Sequence, residues 1–140
     1  LLSHVLEHIH NTLPLMQELW RIAKPNARMT IRIPHGGSDD AWEDPTHDRA
    51  YYANSFGYFS QPFYWRADYG YRGDWRVDKL TYLVNSEGNA LLTVPEILAK
   101  VNKERNVVQE MIVGLSPVKP IREPKRELQT NFQVTVQFVK

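Results

Sequence analysis

The chain has 140 residues, 42% of them hydrophobic, enough for one domain with its own core. Lys plus Arg number 17 and Asp plus Glu 16, a near balance that gives no general drive toward nucleic acid or an anionic membrane. There is no cysteine, so disulfide frameworks and thiolate chemistry are excluded. No apolar run approaches the roughly 20 residues of a membrane helix, and no basic start leads into a signal-peptide core, so a cytoplasmic location is expected.

The first eleven residues carry His4, Glu7, His8 and His10, three of the five histidines within seven positions. Asn11 or Thr12 can cap a following helix over about 13–24, and Pro14 is tolerated in its first turn. Met16, Leu19, Trp20 and Ala23 recur at helical spacing and predict its buried face. Pro25 ends it. Residues 27–33 read as a strand, with Met29, Ile31 and Ile33 alternating with Arg28, Thr30 and Arg32. The arginine-bearing face is either solvated or covered by a partner.

A polar loop follows from Pro34 to Arg49, then a short helix near Asn54–Phe59. Of the 16 aromatic residues, 11 lie between Tyr51 and Trp75, which predicts a packed aromatic layer. Residues 75–84 form a strand with a phase slip: Trp75 and Val77 share one parity, Leu80, Tyr82 and Val84 the other. A bulge near Asp78 or Lys79 accounts for it. Thr93-Val94-Pro95-Glu96 opens a helix to about Glu104. Strands are expected at 107–115 and 131–139, the last with Phe132, Val134, Val136 and Phe138 alternating with polar residues. Between them lies a proline-rich basic arm, Lys119 to Arg126, read as a solvated connection.

Three groups of side chains carry candidate chemistry. His4, Glu7 and His8 fit H-x-x-E-H, in which two imidazoles on one helix face hold zinc and the carboxylate works on a bound water. A third protein ligand is then required. The alternative is that Leu6 and Ile9 pack while the histidines cap or face solvent. His35, Asp44 and His47 could form a carboxylate–imidazole site, or Asp44 and Thr46 could simply cap a turn. The arginines interleaved with Tyr64, Trp65, Tyr71 and Trp75 could stack nucleobases. Asp68 and Asp74 among them favour core packing with snorkelling arginines.

The run Ser3-His4-Val5-Leu6-Glu7-His8-Ile9, followed by Leu13 to Pro25, resembles class I S-adenosylmethionine-dependent methyltransferases of the type 11 kind. In that family a "hvLEHi" segment follows the fourth strand of the sheet, and a helix ending in "LKPgG" and a strand ending in Pro come next. Pro34-His35, then Asp44-Pro45-Thr46-His47 and Arg49, then Asn54 to Phe59, look similar to a subset acting on small molecules. The likeness covers about residues 1–60 well and the rest loosely. It implies Ser3, His4 and Glu7 as cofactor-proximal residues, and His35, Asp44, His47 and Arg49 on the substrate side. It implies S-adenosylmethionine as cofactor. It also implies that the glycine-rich loop and the ribose-binding acidic residue lie in an amino-terminal half not among these residues.

The expectation is a single α+β domain over 1–140, the carboxyl-terminal half of a Rossmann-like methyltransferase. Its small mixed sheet would end in an antiparallel hairpin of 107–115 and 131–139, as the family's sixth and seventh strands, with two main helices packed on it. The 75–84 strand and 94–104 helix would be an insertion. The function expected is that of a truncated methyltransferase-like domain, inactive alone. The alternatives are an oligomeric interaction or ligand-binding module and, less favoured, an H-x-x-E-H metal-dependent hydrolase. No metal ligand set is otherwise assigned. Missing strands would leave a sheet edge bare, which predicts self-association, with no nucleic-acid or membrane partner.

Overall fold

A computed structural model describes residues 1–140. Five strands form one mixed sheet: β1 (Leu2–Ser3), β2 (Met29–Pro34), β3 (Trp75–Asn85), β4 (Val108–Pro117) and β5 (Gln133–Val139), in the order β1-β2-β4-β3-β5. Three α-helices accompany them: α1 (Thr12–Ile22), α2 (Asp40–Glu43) and α3 (Val94–Val101). The architecture is α+β, as the sequence implies.

β1 and β2 run parallel, Leu2 opposite Ile31 and Ser3 opposite Arg32, and α1 is the crossover between them. Pro14 sits in the first turn of α1, where its missing N–H is not needed. At the other end Ala23 turns to an extended ψ of 135° ahead of Pro25. Lys119 Nζ donates to the carbonyls of Arg21 and Ala23, capping this end from the far end of the chain. The alternation in β2 holds: Met29, Ile31 and Ile33 are buried, and Thr30 and Arg32 are exposed.

The phase slip in β3 is a bulge. Val77 pairs with Leu115 and Lys79 with Gly114, so Asp78 is extra; a second shift falls between Leu83 and Val84. β4 is antiparallel to both β2 and β3. The expected hairpin of β4 with β5 does not form. β5 instead pairs with β3 in parallel, Thr81 opposite Thr135. The reason lies in the two-sided burial of β3 and the one-sided pattern of β5. β3 buries Leu80, Tyr82, Leu83 and Val84, from both faces, and suits an interior position; β5 buries no residue fully, with Gln133, Gln137 and Phe138 exposed and the others half-buried, and suits an edge. α3, β4 and the arm after it together make the long connection that parallel pairing of β3 with β5 demands.

That arm is a solvated connection only in part, with Pro120 and residues 123–126 exposed. Arg122 reaches into the protein and pairs with Asp74, which is fully buried. The aromatic segment folds as two consecutive 3-10 helices, Ala53–Phe59 and Gln61–Trp65. Phe56, Phe59, Tyr64 and Tyr71 join Trp75 in a 21-residue core cluster, while Tyr52, Tyr58, Trp65 and Tyr69 remain exposed. Arg66 and Arg126 lie over the Trp65 ring, and Arg72 is paired with Asp68, so these arginines are engaged within the chain. No helix is long and apolar enough to cross a membrane.

Candidate functional site

In parallel α/β units, ligands gather off the carboxyl ends of the strands. Here those ends are Ser3 in β1 and Pro34 in β2, and the charged loops of the chain meet beyond them. After β1, His4 adopts a left-handed φ of 54° and the chain makes one 3-10 turn, Leu6–His8. The H-x-x-E-H segment is therefore not an α-helix, and His4 and His8 do not share a helix face. Leu6 and Glu7 turn inward and are buried.

After β2, residues 35–49 loop out through α2 and return. The loop is held at its outer end by Asp39, which accepts from the Arg105 guanidinium and the Asn106 amide. These two partners hold the Asp39 carboxyl below its ordinary value. It is held at its inner end by Asp48 N–H, which donates to the Glu7 carbonyl at 2.7 Å. That bond lays the Asp44–His47 segment against the Leu6–His8 turn.

A cleft of about 430 Å³ results, lined by His4, Pro34, Asp40, Glu43, Asp44 and His47. Asp44 organises the loop, accepting at Oδ1 from the Thr46 hydroxyl at 2.6 Å and the Thr46 N–H at 2.8 Å. These bonds, side chain first, hold its carboxyl below the usual range. His47 Nδ1 lies 3.1 Å from the Ala41 carbonyl, and its Nε2 lies 3.6 Å from Asp44 Oδ2. His8 stacks edge-on against His47, with ring centroids 4.7 Å apart. His4 Nε2 lies 2.9 Å from Glu110 Oε1, and Glu110 also accepts from Arg32 Nε.

The structure thus joins residues from both implied sets: His4 and Glu7 from the cofactor side, Asp44 and His47 from the substrate side. Ser3 is exposed in β1 at the sheet edge. His35 does not join them. It is pinned between Gln109, Tyr51 and the rings of Tyr52 and Tyr82, and lines a second cleft of about 460 Å³ with Asn102 and Arg105. Its Nδ1 accepts the Gly37 N–H at 2.9 Å, and burial pushes its imidazole down to about 4, so it is neutral at ordinary pH. Arg49 lies over the Tyr51 ring at 4.9 Å, in a third cleft. The two-histidine grouping of His35 with His47 is therefore split by the fold.

Glu110 is a site residue that sequence reasoning passes over. Its signal is a carboxylate in an otherwise mainly apolar strand. Asp40 and Glu43 carry no such signal, because acidic residues in a polar loop are ordinary. The cleft holds no apolar residue except Pro34, so nothing in it offers a wall for a purine ring. The residues of this cleft do not fit S-adenosylmethionine unaided. No family model matches the chain, and neither a curated protein nor a solved structure matches it.

Proposed function

We propose that these 140 residues form the carboxyl-terminal, substrate-side half of a class I methyltransferase-like domain and do not hold the cofactor by themselves. The observation that supports this best is the parallel pairing of Leu2–Ser3 with Ile31–Arg32 at the open edge of the sheet, with α1 as crossover. That is the place where the family's "hvLEHi" segment leaves its fourth strand. β2 then stands for the fifth strand. The antiparallel pair that closes the family's sheet corresponds to β3 and β4, with β5 as an additional edge strand. The cleft off β1 and β2 offers imidazoles and carboxylates that can orient a polar small molecule and accept a proton from it. The proposal includes a cytoplasmic location, which a cysteine-free chain fits.

Titration calorimetry of S-adenosylhomocysteine into the purified chain tests this reading. No heat is expected. Binding with a Kd below about 100 µM would mean a complete cofactor pocket and would overturn it.

A second reading, a self-associating module, is favoured by one observation. β1 and β5 are the two edges of the sheet, and Phe138 in β5 is exposed. Light scattering that returns a monomer mass at high micromolar concentration would sink it.

A further inference from the structure

We infer that Glu7, His8 and His47 bind a divalent transition-metal ion. One ligand atom from each lies within 4.8 Å of the others. The inference stands on these contacts alone and does not depend on the methyltransferase reading.

Glu7 is the first reason. It is 2% exposed, and neither carboxylate oxygen has a hydrogen-bond partner. Buried carboxylates in folded proteins are paired, hydrogen-bonded or bound to metal. His4 Nδ1 lies 3.4 Å from Glu7 Oε1 but makes no hydrogen bond to it, and the other His4 nitrogen is engaged by Glu110.

The two imidazoles are the second reason. The Thr46 hydroxyl gives its proton to Asp44, so toward His8 it can only accept. His8 Nδ1 lies 3.1 Å from that hydroxyl oxygen and 3.2 Å from the Thr46 carbonyl, both acceptors. His8 therefore carries its proton on Nδ1. His47 Nδ1 faces the Ala41 carbonyl, which fixes the same tautomer. Each ring is left with its lone pair on Nε2. A metal-binding histidine is set in this way, its second nitrogen donating to a carbonyl or carboxylate. Here the Asp44-Pro45-Thr46-His47 run supplies one ligand and the outer support of another.

Two imidazoles and one carboxylate suit zinc or ferrous iron rather than calcium or magnesium. With bonds of ~2.0–2.2 Å, donor atoms stand about 3.3 Å apart, so the three groups draw together on binding. His8 is exposed and lies on the same loop contact as His47, so a small shift of its ring with Thr46 can supply that movement. Three protein ligands leave a coordination position for water or a substrate atom, with Asp44 Oδ2 alongside His47 Nε2.

The test is a zinc titration of untagged, chelator-stripped protein, followed by calorimetry and by thermal unfolding. One equivalent is expected to bind and to raise the Tm. Glu7→Gln keeps the side-chain volume, and His8→Asn alters an exposed side chain; both are expected to fold and to bind at least about tenfold more weakly. Thr46→Val is expected to weaken binding about tenfold by freeing the His8 ring. His10→Asn, outside the group, should bind as the parent does. Less than about a tenth of an equivalent on the parent chain would overturn the inference and leave His4 as the charge partner of Glu7. Equal binding by parent and Glu7→Gln would overturn it as well.

Discussion

Arg122 closes a two-pronged ion pair on Asp74: Nε meets Oδ2 and Nη2 meets Oδ1, each at 2.9 Å. The Asp74 carboxylate also accepts the N–H groups of Arg122 and Gln61, so both oxygens are fully used. The pair fastens the arm after β4 to the start of β3 and so guides β5 to its place beside β3.

Arg122→Ala leaves that carboxylate buried without its cation, and a broken buried pair costs about 3–5 kcal/mol. For a domain whose whole stability is about 5–15 kcal/mol, this brings the chain close to unfolding. Urea titration of the variant measures it. A loss under about 1 kcal/mol would show that the arm is not held by this contact.

His35 gives the protein an acid-side sensitivity. Its imidazole takes a proton near 6.5 when unfolded and only near about 4 when folded. Between those values the unfolded chain binds more protons, so stability falls as the pH falls through this window, by as much as about 3 kcal/mol. His35→Gln is expected to flatten this dependence. Urea midpoints of the parent and the variant, compared at several pH values, measure the difference. Identical slopes between pH 6.5 and about 4 would refute the assignment.

Gly57 and Gly36 both face aromatic rings, with different consequences. A Cβ on Gly57 would overlap the half-buried Phe63 ring. One on Gly36 would stand 2.5 Å from Tyr52, which is half exposed and can swing aside. Gly57→Ala is expected to cost about 1–3 kcal/mol by overpacking. Gly36→Ala should lose chiefly the Tyr52 hydroxyl bond to the Gly36 carbonyl, about 1 kcal/mol. Thermal unfolding of the two variants ranks them, and the reverse order would contradict this packing.

Trp75 ties β3 to α1. It is almost fully buried, and its indole N–H donates to the Met16 carbonyl at 2.9 Å. Trp75→Phe loses that bond and leaves a void, for about 2–4 kcal/mol. Denaturant unfolding followed by circular dichroism reads the loss. A change within about 0.5 kcal/mol would mean that α1 is anchored elsewhere.

The sequence by itself determined the elements and their faces. The alternation of Met29, Ile31 and Ile33, the slip at Asp78 and the Thr93 cap each rest on contacts within a few residues, and each holds in the fold. Tertiary structure alone decided the neighbours. The alternation from Phe132 through β5 names a face, half-buried at Phe132, Val134 and Val136 but exposed at Phe138, and carries nothing about whether β3 or β4 lies beside it. That choice falls to the two-sided burial of β3 and the Arg122 clasp. It was the same with the candidate site. His8 and His47 are far apart in sequence, and the H-x-x-E-H spacing points to a helix that does not form. Only the parallel docking of β1 on β2 and the bond from Asp48 to Glu7 bring them together, because a motif fixes residue types at a spacing while contact depends on where the chain returns.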